Sequence, residues 1–87
     1  MYLTEFPDYD GTMPDVPGFT DQSWHNDICP KLMNADESVI IWCDYVDPDL
    51  REMGAKHRFN VTNEGDSFLL STDSAKELID FFIHVSP

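Results

Sequence analysis

Basic residues are scarce in this chain. It holds 5 Lys and Arg against 17 Asp and Glu, for a net charge of −12 over 87 residues. Nucleic acid and anionic membrane are therefore not expected partners, because binding either needs Lys and Arg to displace counterions. Long apolar runs are missing too, and none reaches the length that crosses a bilayer. The opening stretch, MYLTEFPDYD, has no basic segment followed by an apolar one, so no secretory signal is read there. The cytoplasm of a bacterial host is the expected location. The 4 glycines are scattered and build no phosphate-cradling loop. The 2 cysteines, Cys29 and Cys43, form no CxxC and are too few for a disulfide framework. Two reduced, partly buried thiols are expected, with a single bridge as the other state open to them.

What remains is enough for one small domain with a thin core. Residues 1–22 read as an irregular acidic arm packed on a core of residues 23–87. Pro7, Pro14, Pro17, Gly11 and Gly18 interrupt any regular element in the arm. Its Tyr2, Leu3, Phe6, Tyr9, Met13, Val16 and Phe19 argue that it lies across the domain, since disordered tails seldom carry so many apolar side chains. Ser23–Cys29 fits a short helical turn with Ser23 as N-cap and Trp24 and Ile28 on one inward face. Lys31–Glu37 reads as a connecting loop.

The organising stretch is Ser38–Asp49, SVIIWCDYVDPD. Val39–Val46 predicts a central strand covered on both faces, closed by Pro48. Asp47–Lys56 reads as a loop with one helical turn around Asp49–Met53. His57–Thr62 alternates as a second strand. Asn63-Glu64-Gly65-Asp66 predicts a hairpin turn with Gly65 at positive φ, and Ser67–Ser71 returns as a third strand. Ser74 and Glu77 form a capping box for an amphipathic helix over Ala75–Val85. The predicted fold is α+β: a three-stranded antiparallel meander, a C-terminal amphipathic helix, a short N-terminal helical turn and an irregular N-terminal arm.

Motifs for chemistry are absent. Asp44, Asp47, Asp49 and Glu52 gather carboxylates on one loop, but Pro48 and Leu50 stand where a calcium loop needs adaptable ligands, and Gly54 comes too late. His25 and Cys29 are one loose pair, where structural zinc needs close pairs at both ends of the site. No basic neighbour or glycine turn marks either thiol as a nucleophile. No metal, no cofactor and no enzymatic activity are expected.

Charge carries the functional reading. Residues 1–30 hold Glu5, Asp8, Asp10, Asp15, Asp21 and Asp27 with no base, and residues 36–50 hold Asp36, Glu37, Asp44, Asp47 and Asp49 with none. If the arm folds back to the end of the first predicted strand, the two sets meet on one surface charged like a short duplex. The expected contact face draws on Asp8, Asp10, Asp15, Asp21, Asp36, Glu37, Asp44, Asp47, Asp49 and Glu52. Its expected partner is a basic, DNA-binding protein surface, met with salt-sensitive attraction by a monomer.

In size, charge and small-meander architecture the chain resembles the acidic anti-CRISPR proteins of phages, of the type I, DNA-mimic kind. That resemblance implies a non-enzymatic inhibitor occupying the DNA-binding surface of the Cascade surveillance complex, near its large PAM-reading subunit. Two other classes use the same features: an immunity or antitoxin-like protein that neutralises a basic nuclease toxin, and an adaptor domain that docks through arm aromatics. Reversal of Asp44, Asp47 and Asp49 to Lys is expected to abolish inhibition and leave the fold intact.

Overall fold

The computed structural model describes residues 2–52, 57–65 and 67–85. The chain is α+β. A short helix α1 (Tyr2–Glu5) precedes strands β1 (Phe19–Asp21), β2 (Lys31–Asn34), β3 (Val39–Cys43), β4 (Phe59–Asn63) and β5 (Phe68–Thr72), and helix α2 (Ala75–Val85) follows them. The strands form one antiparallel sheet in chain order, so each neighbour is reached by a local connection.

The sheet has five strands, against the three expected. Both added strands fall in segments whose sequence predicts an arm and a loop. Residues Lys31–Asn34 pair with β3 through Lys31↔Trp42, Leu32↔Ile41 and Met33↔Ile40. Phe19–Asp21 then pairs with β2. Strands this short are fixed by their neighbours more than by their own pattern. The N-terminal helical turn also lies elsewhere. It is at Tyr2–Glu5, while Trp24 and Ile28, which a helix at Ser23–Cys29 would have buried, are both exposed.

The core sits on one face of the sheet. Leu32, Ile41, Cys43, Phe59 and Val61 supply the sheet side, and Val16 of the arm and Leu78 of α2 close it. Alternation explains the set: Leu32, Ile41 and Val61 stand opposite one another in the register, as do Cys43 and Phe59. Half of the predicted capping box of α2 is present: the Glu77 N–H donates to Ser74 Oγ at 3.1 Å, while the Ser74 N–H donates to Thr72 Oγ1 at 3.1 Å instead of to the Glu77 carboxylate. On the opposite face the Trp42 indole donates to Thr62 Oγ1 at 3.0 Å, and Lys31 Nζ lies 5.5 Å from the Trp42 ring centroid.

Two turns at one end of the sheet are held by side chains. Asn34 Oδ1 accepts from Val39 N at 3.0 Å across the β2–β3 turn, where Glu37 takes the left-handed conformation at φ 61°. Asn63 Oδ1 accepts from Gly65 N and Ser67 N in the β4–β5 turn. Positive φ among the described glycines belongs to Gly18, at 85°, and not to Gly65.

Candidate functional site: an acidic junction between the arm and the loop after β3

β3 ends at Cys43, and the chain then bends through Asp44–Glu52. Asp44 is fully buried. Its N–H donates to Arg58 O at 2.8 Å, and its carboxylate accepts from Tyr45 N at 2.9 Å and from Glu52 N at 3.1 Å. The two ends of the loop are thus tied beneath it. At the tip, Asp47 Oδ1 accepts from Asp49 N at 3.0 Å and caps a short 3-10 helix, Pro48–Leu50. Pro48 suits that start, since its missing N–H would have no partner there.

The arm braces the loop from outside. Asp10 accepts from Val46 N and Asp47 N, both at 2.8 Å. Tyr9 is buried and donates its hydroxyl to Asp44 O at 3.0 Å. Arg58 Nη2 donates to Tyr9 Oη at 3.1 Å and to Thr12 O at 2.7 Å. From the far side, Arg51 Nε donates to Tyr45 O at 2.8 Å and its Nη2 to Val46 O at 3.1 Å. Two of the chain's 5 bases therefore point inward onto backbone carbonyls. Lys31 is turned in as well, paired with Asp27 at 2.8 Å with its side chain 17% exposed.

The arm does fold back to the end of β3, as the charge reading required. Asp8, Asp10, Asp47, Asp49 and Glu52 are exposed at this junction. Burial raises the Tyr45 hydroxyl pKa, and the Glu52 and Asp8 carboxylates nearby raise it further. The other expected members are elsewhere. Asp44 is a buried brace, which corrects its place on the contact face. Asp21 is half-buried and accepts from Tyr2 N at 2.8 Å and Ser23 N at 3.0 Å, joining α1 to β1. Asp36 and Glu37 occupy the β2–β3 turn, the length of β3 away, or roughly 13 Å for a strand of five. Asp15 is exposed on the arm just ahead of buried Val16.

Sequence reasoning passed over Tyr9, Arg51 and Arg58 as the braces, and Val46 and Leu50 as exposed aliphatic side chains between the acids. The usable signal was residue type: both arginines, Arg51 and Arg58, hold backbone carbonyls with their forked donors, whereas Lys76 stays exposed.

Other chemistry finds little support in the geometry. Burial pushes the Cys43 thiol up to about 12 and raises Cys29 as well, with nearby Asp44 adding to the latter, so neither supplies thiolate at neutral pH. Both are free thiols. Among the described residues no group of three or more His, Cys, Asp or Glu is placed to hold a metal ion. An apolar groove lined by Pro17, Phe19, Phe82 and Ile83 has a volume of about 220 Å³, and a shallow depression over the two turns, lined by Ser38, Val39, Asn63, Glu64, Gly65 and Ser67, about 350 Å³.

Two predictions arise here. A Cβ on Gly11 would lie 2.6 Å from Arg58 Nη2 and 2.8 Å from Val46 Cγ2. Gly11→Ala is expected to loosen the arm and destabilise the chain by ~1–3 kcal/mol, read from urea unfolding; an unchanged midpoint would show that the arm does not press on Arg58.

The second concerns acid. Desolvation raises Asp10 and Asp21, but hydrogen bonds outweigh it and leave both below the ordinary carboxylate value: the Asp47 and Val46 N–H groups on Asp10, and the Ser23 hydroxyl with the Ser23 and Tyr2 N–H groups on Asp21. Asp73 is lowered chiefly by the Arg58 N–H. Groups depressed in the fold contribute stability that is present above the unfolded value of ~3.9 and is lost as pH falls through the folded values. Near-ultraviolet circular dichroism from Tyr9 and Tyr45 should hold at pH ~5 and collapse below pH ~4 as the arm releases; a signal constant to pH ~2 would remove Asp10 as a clasp.

No family model, curated protein or solved structure matches this chain.

Proposed function

We propose that this chain is a non-enzymatic protein inhibitor that acts as an acidic double-stranded DNA mimic. Its proposed target is the DNA-binding surface of a bacterial Cascade surveillance complex, where Lys and Arg that hold phosphates would hold these carboxylates. One observation carries the reading. Asp10 joins the arm to the loop after β3, so that Asp8, Asp10, Asp47, Asp49 and Glu52 stand exposed together while Arg51 and Arg58 turn inward. The braces make the group rigid before it meets a partner, which spares the ordering cost of binding. Scale supports it too. The chain is 37 Å long, and B-DNA of that length carries roughly 22 phosphate charges at one per ~1.7 Å. A net −12 is of the same order.

A second reading draws on Val46 and Leu50, exposed at 46% and 48% within the acidic group. Aliphatic side chains have no counterpart in a phosphate backbone. They suit an immunity-like protein that plugs a nuclease cleft with both apolar and basic walls.

The immobilised chain, exposed to lysate from a bacterium with a type I system, should retain Cascade subunits. Duplex DNA should displace them, and affinity should fall roughly 10-fold or more between ~50 and ~200 mM salt. Retention of a nuclease instead supports the second reading. Retention that neither DNA nor salt weakens rules out mimicry.

A further inference from the structure

The two edges of the sheet are unlike. β1 is three residues long, carries Asp21, and is tied to α1 through the Tyr2 N–H. Its open side is short, charged and partly occupied, which are the usual protections of an edge. β5 is longer and uncharged, and its one protection is a bulge, where the ladder with β4 passes from Val61↔Leu70 to Thr62↔Phe68 and skips Leu69. It is five residues, Phe68-Leu69-Leu70-Ser71-Thr72, with no charge and no proline. It stands last in the sheet order, so among the described residues only β4 pairs with it. Alternate backbone N–H and C=O groups of such a strand point outward without a ladder partner. Phe68 and Leu69 on this strand are 54% and 43% exposed, which places two large apolar side chains beside those groups.

Charge returns at both ends of the strand. Exposed Glu64 lies in the turn before it; exposed Asp73, whose carboxylate pairs with Arg51 at 3.6 Å and with His57 at 3.3 Å, and exposed Glu77 follow it. A neutral apolar edge bracketed by acids has a matching ligand, an extended segment that is apolar in the middle and basic at its ends. We infer that β5 is a strand-acceptor site, which adds such a segment of a partner protein as a sixth strand. Main-chain bonds supply affinity, and Phe68 and Leu69 select apolar side chains on the incoming strand. A second copy is a poor occupant. Twofold antiparallel pairing of β5 with itself would set the Glu64 end of one copy beside the Asp73 and Glu77 end of the other, between two molecules of net −12. The inference does not use the acidic junction and stands or falls apart from the inhibitor reading.

The test uses the whole chain, ¹⁵N-labelled, and a synthetic peptide of alternating valine and threonine with two lysines at each end. Its twin carries glutamates in place of the lysines. The lysine peptide should shift the amides of Phe68–Thr72 and slow their hydrogen exchange, and the twin should bind at least ~10-fold more weakly. Leu69→Lys should reduce lysine-peptide binding by a similar factor in a chain that still folds, because that side chain is exposed. Four results would overturn the site: no shifts at millimolar peptide, equal binding of the twin, shifts confined to Val46–Leu50, or protection of β5 that grows with protein concentration when no peptide is present.

Discussion

Replacement of Asp44 by Lys should leave the chain without a cooperative unfolding transition. The side chain is completely buried and accepts N–H groups from Tyr45 and Glu52. A lysine there donates where it should accept. It strands two backbone donors, at ~1–3 kcal/mol each, and buries a cation beside a loop that Arg51 and Arg58 already brace, at ~3–5 kcal/mol. A domain of this length holds roughly 4–13 kcal/mol in total. The loss therefore takes most or all of it. Asp44→Asn keeps the shape and one acceptor oxygen, so it should lose only ~1–3 kcal/mol and still unfold in one step. Calorimetry on both variants decides the matter. If the lysine variant melts like the parent, Asp44 is not the tie beneath the loop. This result also revises the expected charge reversal of Asp44, Asp47 and Asp49, which would abolish inhibition by unfolding the protein.

The informative reversal is Asp8, Asp49 and Glu52 together to Lys. All three are exposed at the junction, and none of their carboxylates holds a hydrogen bond or ion pair among the described residues. Asp10 and Asp47 are left in place because their carboxylates hold the loop. Net charge moves from −12 to −6, which relaxes self-repulsion, so the melting temperature should stay level or rise. Retention of the captured target should fall by at least ~100-fold, since three attractive contacts become repulsive ones at ~1.5 kcal/mol or more each. A variant that folds and is retained as well as the parent would take the junction out of the contact face.

The legible parts of the fold were those with their own pattern. Val39–Cys43 is apolar on both faces, Ser74 and Glu77 announce α2, and Phe59 and Val61 alternate into the core as read. The illegible strands lack a pattern to read. β1 has three residues and β2 has four; β2 is a strand because β3 gives it a partner, and β1 because β2 then does. The arm's aromatics correctly announced that it packs on the domain, but not that Tyr9 and Asp10 would clasp the loop. Asp44 misled for a physical reason. The expected strand runs on through Asp44 to Val46, with Asp44 counted among the acids at its end, but the strand stops one residue before Asp44 and the chain bends, which carries the carboxylate inside onto two backbone donors. A burial of that kind is set by where the chain turns, not by residue type.

The Arg58–Tyr9–Asp44 chain joins positions 49 and 35 residues apart. Every strand pair in the sheet, by contrast, connects neighbours in sequence. Hairpins form in microseconds, while loops of this span pay a larger closure entropy before any contact rewards them. The sheet therefore assembles first and the arm closes last. During refolding the acidic junction is the final feature to appear, and a burst of native-like β signal should precede the slower quenching or shift of Tyr9 fluorescence that marks its completion.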